Sequence, residues 1–142
     1  MIPFLDSEHV IYEGKYWNVI LHRDNQSYLG RSIVFLKSRV LDDPLLITKE
    51  EREELWDDIM PRLIAALRKT FAPDRINYAH LANADHFVHW HIVPRYESNP
   101  TREFAGETFK DERVGKNFAP EPEKIVSKDV LMQIQQAIKS NI

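Results

Sequence analysis

Asp85-His86-Phe87-Val88-His89-Trp90-His91-Ile92-Val93-Pro94-Arg95-Tyr96 carries three of the chain's six histidines. Val88, Trp90 and Ile92 alternate with His89 and His91, which is the period of a half-buried strand. The apolar set points into a core. The two imidazoles then stand on the opposite face, their Cα atoms about 7 Å apart. A pair of imidazoles on a rigid strand suits attack on phosphorus or the holding of a metal better than it suits mere wetting of a surface.

The segments around this strand set its context. Residues 76–81 read as a strand, and the short polar loop 82–87 makes it a hairpin partner of the histidine strand. Residues 14–22 and 31–37 read as a second antiparallel pair, with the polar turn 23–30 closed by Gly30. After the breaker Asp42-Asp43-Pro44, Thr48-Lys49-Glu50-Glu51 forms a capping box with Glu51 reaching back to Thr48. The helix that follows is expected to run to about Lys69, with Leu55, Ile59, Leu63 and Leu67 as its apolar stripe and a mild break at Pro61. Residues 97–126, rich in charge, proline and glycine, read as irregular. Ser127 caps a last helix over 128–140. The expected fold is α+β: a small antiparallel sheet of about five strands, one long helix packed on it and a C-terminal helix.

Composition narrows the function. The 142 residues suit one domain over 1–142 and contain no cysteine, which removes disulfides, thiol nucleophiles and Cys-containing zinc sites. The formal net charge of -3 argues against a general nucleic-acid binder and leaves small anionic ligands open. No signal peptide and no membrane span are read, so a cytoplasmic protein is expected. No Gly-rich phosphate loop supports kinase or P-loop chemistry.

His89-Trp90-His91-Ile92-Val93, followed by Pro94-Arg95-Tyr96, resembles the closing motif of the histidine triad superfamily, in its bacterial diadenosine-polyphosphate-hydrolase-like branch. Tyr28 to Val34, Asn77-Tyr78 and Asn83 match it in order, so the resemblance covers a core of about residues 14–96. Residues 97–142 form an extension that carries less of it. One departure stands out: Phe87 occupies the position of the first triad histidine, and His86 lies one place earlier. Either a bulge returns His86 to the site, or the triad is a dyad.

The resemblance implies an α+β histidine-triad-like fold, a homodimer with joined sheets and a nucleotide substrate. It also implies a nucleotide hydrolase or nucleotidyl transferase working on an α-phosphate through a covalent nucleotidyl-histidine. Substrates would be dinucleoside polyphosphates, nucleoside phosphoramidates or related esters. His89 is then the nucleophile, His91 assists at the phosphate, and His86 is the candidate third histidine. Asn83 is placed like the family's phosphate-binding amide, and His22, Arg23 and Asp24 lie by the nucleoside. Arg31 and Arg39 stand where many members have histidines, and both add positive charge. No cofactor is required for the attack, although a divalent cation can accompany a polyphosphate. Two other readings stay open: a nucleotide-binding protein with little turnover, motivated by Phe87, and a metalloenzyme with His86, His89 and His91 as ligands and Asp85 nearby. Arg31 and Arg39 each have the alternative of a solvated sheet-edge cation pairing with Asp42 and Asp43, and Arg95 is expected to pair with an acidic neighbour. His9 reads as surface, and His80 as a core or interface residue.

Overall fold

The computed structural model describes residues 4–5, 7–23, 25–119 and 124–142. A five-stranded antiparallel sheet is built from β1 (Val10–Glu13), β2 (Trp17–Leu21), β3 (Ser32–Leu36), β4 (Arg75–Ala79) and β5 (His89–Arg95), in spatial order β1-β2-β3-β5-β4. Strand β1 was not legible in the sequence, because four residues are too few to display a period. Among the described residues no helix is long and apolar enough to cross a membrane.

The two faces of the sheet differ. Val19 and Leu21 on β2, Val34 and Leu36 on β3, and Ile92 on β5 enter the main core under the helices. Ile20, Ile33 and Phe35 face the other way and form a small apolar cluster with Phe87. The β3–β5 register sets Val34 opposite Trp90, Ile33 opposite His91 and Phe35 opposite His89. The alternation read from the sequence is therefore the alternation of the fold, with both histidines on the face away from the helices.

The long helix is one rod in three parts: α1 (Lys49–Glu54), a π-helical turn (Leu55–Ile59) and α2 (Met60–Phe71). Leu55, Ile59, Leu63 and Leu67 are all buried, as the stripe predicts. The break falls just before Pro61 rather than at it. Proline has no N–H to continue the ladder, and a π turn, in which the Met60 N–H reaches the Leu55 carbonyl, absorbs the mismatch. Thr48 caps the start, its hydroxyl accepting from the Glu51 N–H at 3.1 Å. Glu51 does not reach back: its buried carboxylate pairs with Arg39. Arg39 also donates to the Leu46 carbonyl and so pairs with neither Asp42 nor Asp43.

The β1–β2 turn is tied to this rod by a single carboxylate. Glu54 accepts the N–H groups of Lys15 at 2.7 Å, Tyr16 at 2.7 Å and Trp17 at 3.0 Å. Gly14 lies against the same contact, where a Cβ would come within 2.8 Å of Ile59 Cδ1.

The segment expected to be irregular contains a second, two-stranded sheet of β6 (Thr101–Phe104) and β7 (Glu107–Lys110). Its turn, Ala105-Gly106, has positive φ at both positions, 53° and 79°, the geometry of a tight hairpin. Alanine gives no turn signal at the first position, so the hairpin was hidden. The C-terminal helix α3 (Lys128–Lys139) begins as expected, with the Ser127 hydroxyl accepting from the Val130 N–H. It covers the β1 end of the sheet, Gln135 donating to the Val10 carbonyl at 2.8 Å.

Arg95, as expected, holds the chain after β5. Its Nε and Nη2 donate to the two oxygens of Asp111 at 2.8 and 3.1 Å. Nη1 donates to Asn77 Oδ1 and the Lys116 carbonyl, and Nη2 also to the Arg113 carbonyl. Both side chains of the ion pair are buried. This knot, with the Ala119 N–H donating to the Tyr28 hydroxyl at 2.8 Å, carries residues 111–119 across to the histidine face.

Candidate active site

On that face lies a cavity of about 980 Å³. Of the residues singled out from the sequence, His22, Arg23, Arg31, Asn83, Asp85, His89 and His91 line it. Asp24 lies outside the described residues. His86 is not brought in: it is exposed, its ring nitrogen Nε2 donating to the Asn83 carbonyl at 3.0 Å. No bulge re-aims it, because Phe87 fills the place instead. The Phe87 ring is 3% exposed and lies on the His89 ring, centroids 4.6 Å apart at 24°. Phe4 packs at the edge of both rings. The histidines form a dyad in which one flank of His89 is wholly apolar.

The tautomers of the dyad follow from its partners. A backbone carbonyl can only accept, so the contact of 2.8 Å between His89 Nδ1 and the Phe87 oxygen puts the proton on Nδ1 and leaves the Nε2 lone pair free. A guanidinium can only donate. Arg31 Nη2 lies 3.2 Å from His91 Nδ1, which fixes the His91 proton on Nε2. The two rings, 5.2 Å apart, thus offer one acceptor and one donor.

Electrostatics keep the rings neutral. Burial, then Arg31, pushes His91 down to about 3. Burial and Arg31 likewise push His22 down to about 4. His89 is lowered by burial, the Phe87 carbonyl and Asp85 offsetting part of it. In the unfolded chain these rings protonate near 6.5. Between those values the unfolded state binds more protons, so stability is fully present above pH 6.5 and is lost as pH falls toward 4. Thermal unfolding followed by circular dichroism is expected to show Tm dropping over that window, with His22→Asn reducing the slope. A slope identical in the variant would contradict the burial of a neutral His22.

Arg31 is held by the turn before it. Gly30 has φ 90°, and the Arg31 N–H donates to the Tyr28 carbonyl at 2.9 Å. A side chain at Gly30 would be strained there and would crowd Leu67 and Phe71. The Arg31 side chain is 4% exposed, with Phe118 stacked over its guanidinium at 5.1 Å.

His9 and Phe118 are among the lining residues that escaped the sequence reading. His9, read as surface, is buried in the cavity wall beside β1. Phe118, in the stretch read as irregular, closes the Arg31 end. The first immediately precedes an unrecognised strand, the second is placed by a non-local knot, and neither leaves a local pattern. His80 is half-buried, stacked edge-on against Trp90 and 6.3 Å from His89, and does not line the cavity. Arg39 is outside it as well. Among the described residues no group of three or more His, Asp or Glu is placed to hold a metal ion.

The fold is that of the histidine triad proteins. A histidine triad protein from Sinorhizobium meliloti matches with TM-score 0.70 at 15% identity, over 94% of this chain and 89% of that one. One from Marinobacter aquaeolei matches with TM-score 0.70 at 17% identity, over 93% and 86%. A hypothetical histidine triad nucleotide-binding protein from Sulfolobus tokodaii matches with TM-score 0.65 at 18% identity, over 94% and 82%. No family profile matches the sequence, and no curated protein does.

Proposed function

We propose that this protein is a nucleotide hydrolase or nucleotidyl transferase that works through a covalent nucleotidyl-His89. The observation that carries the reading is the complementary pair: a free lone pair on His89 Nε2 beside an N–H on His91 Nε2, in a cavity lined by Arg23 and Arg31.

His89 Nε2 attacks the α-phosphorus, a P–N bond forms, and the bond to the leaving group breaks with its electron pair. Water then cleaves the P–N bond and returns the ring. Two easier displacements replace one hard one. His91 donates a hydrogen bond to a phosphoryl oxygen, where charge accumulates. Its depressed basicity makes it a better hydrogen-bond donor than proton donor. Asn83 at the rim, and His22 and Arg23 in the wall, contact the rest of the nucleotide.

The test is intact-mass measurement after incubation with an adenylate donor and acid-free quenching. An adenylyl increment is expected on His89 and on no other residue. A second reading, nucleotide binding with little turnover, is favoured by Phe87, which gives His89 an apolar neighbour where an ionisable one would assist. Tight nucleotide binding without any adduct would establish it in place of the first. The reading extends to a pair of copies joined at β4, an edge of the sheet flanked by Trp56 and Tyr78, 43% and 44% exposed. A solution mass of one chain in sedimentation equilibrium would remove that part.

A further inference from the structure

We propose that His80, which lies outside the cavity, acts through His89 to shorten the life of the nucleotidyl-His89 intermediate, and so turns the protein toward hydrolysis and away from storing the adduct. The inference rests on the nucleotidyl-transfer reading and goes beyond it by assigning a positioning residue to the second step.

The fold puts His80 at a corner. Strand β4 is an edge of the sheet and ends at Ala79, opposite His91. Side chains along β5 alternate between faces, so Trp90 lies toward the helices and His89 toward the cavity. His80, the residue after β4, meets both. Its ring is edge-on to Trp90, centroids 5.5 Å apart, and stands 6.3 Å from His89. The loop it leads into, 81–85, lines the cavity.

Among the described residues four rings stand around His89. Phe87 stacks on its face and Phe4 meets its edge, and neither side chain carries charge. His91 is engaged elsewhere: its Nδ1 accepts from Arg31, and in the proposed reaction its Nε2 proton goes to the phosphate. His80 is the ring without a task. Its Nε2 is buried and has no hydrogen-bond partner. Trp90 Nε1 is unpaired as well, so the two rings touch without a hydrogen bond. A phenyl ring would fill that corner without burying an unpaired nitrogen. The imidazole does what a phenyl cannot, which is to act on the charge of His89. Asp85, in the loop before β5, favours a positive His89 ring, and His80 opposes it. His80 opposes positive charge on His91 in the same way.

That opposition bears on one state of the cycle. In the adduct, the P–N bond at Nε2 and the proton held on Nδ1 by the Phe87 carbonyl make the ring an imidazolium. In the second step a water oxygen bonds to phosphorus, the P–N bond breaks, its electron pair returns to Nε2, and one water proton passes to solvent. The ring gives up its positive charge. A neighbour that disfavours this charge raises the adduct in energy and lowers the barrier to its hydrolysis. The same neighbour gives no help to the attack, in which the charge appears. His80 therefore acts on the two steps in opposite directions, which a ring that only packs could not do.

The experiment uses the full chain as wild type, His80→Phe and His80→Gln. Phenylalanine keeps a ring against Trp90, and glutamine keeps a polar group; neither can carry charge. Adduct formation is timed by rapid quench and intact mass with diadenosine triphosphate, and again with adenosine 5′-phosphoramidate. The donor is then removed and the decay of adenylyl-His89 is followed the same way. Both variants are expected to lose the adduct about tenfold more slowly than wild type, the scale of one charge acting on another across a partly screened gap. Adduct formation should be as fast as in wild type or faster, with donor affinity unchanged. Decay at the wild-type rate in both variants overturns the inference and leaves an adduct on His89 standing. Formation and decay slowed together mark a packing role and overturn it too. No adduct on wild type from either donor removes nucleotidyl transfer, and this inference with it.

Discussion

Replacing His89 by asparagine is expected to abolish the covalent adduct and to lower turnover by at least about a thousandfold, the scale on which covalent enzymes lose rate with their nucleophile. Asparagine keeps the size of the side chain and offers no basic nitrogen. Replacing His91 by asparagine should cost less, about a hundredfold, because a phosphoryl hydrogen bond is lost while the attacking group stays. The pair separates roles by kind as well as by size: His91→Asn still accumulates adduct, slowly, and His89→Asn accumulates none. Single-turnover measurement with intact-mass detection reads both. An adduct that persists in His89→Asn would place the nucleophile elsewhere.

Asp111→Ala carries the largest expected effect on folding. The Asp111 carboxylate is buried and accepts from Arg95 through two nitrogens and from the N–H groups of Tyr96 and Arg113. Burial alone would raise its pKa, but these hydrogen bonds hold the carboxyl below the usual range. Removing it strands the Arg95 guanidinium in the interior, at a cost of about 3–5 kcal/mol, a large fraction of the stability of a domain this size. Urea unfolding is the measurement, and a loss under about 1 kcal/mol would mean that water enters and solvates Arg95. The Asp111 contribution is present above the unfolded carboxylate range and is lost as pH falls through its lowered folded pKa.

Legibility followed the length scale of the interactions. The β5 alternation and the Leu55–Leu67 stripe are repeated local patterns, and both were read with the correct face inward. The Thr48 and Ser127 caps are local too. The partner of Glu51 was missed because the capping box and the ion pair with Arg39 compete for one carboxylate, and only the tertiary packing decides. The π turn arose from an ambiguity of the same kind, since Pro61 says that the ladder must be interrupted but not how. At the site, the strand gave His89 and His91 together with their common face. The tautomers could not be read, because they depend on a carbonyl two residues back and on Arg31 sixty positions away. The fate of His86 turned on the volume of Phe87, which fills the small apolar cluster beside Ile20, Ile33 and Phe35 and leaves no room for a bulge to bring His86 inward.

Strand β5 divides its labour one residue at a time, and this ties the fate of the chemistry to the fate of the fold. A slip of a single residue would thrust Trp90 toward the ligand and bury an imidazole beneath the helices. No intermediate misalignment spares either task, so a molecule that has lost its reactive arrangement by drift of this strand has also lost its interior. Copies that are folded but inert through such drift should not accumulate: the hydrophobic half of the strand proofreads the polar half.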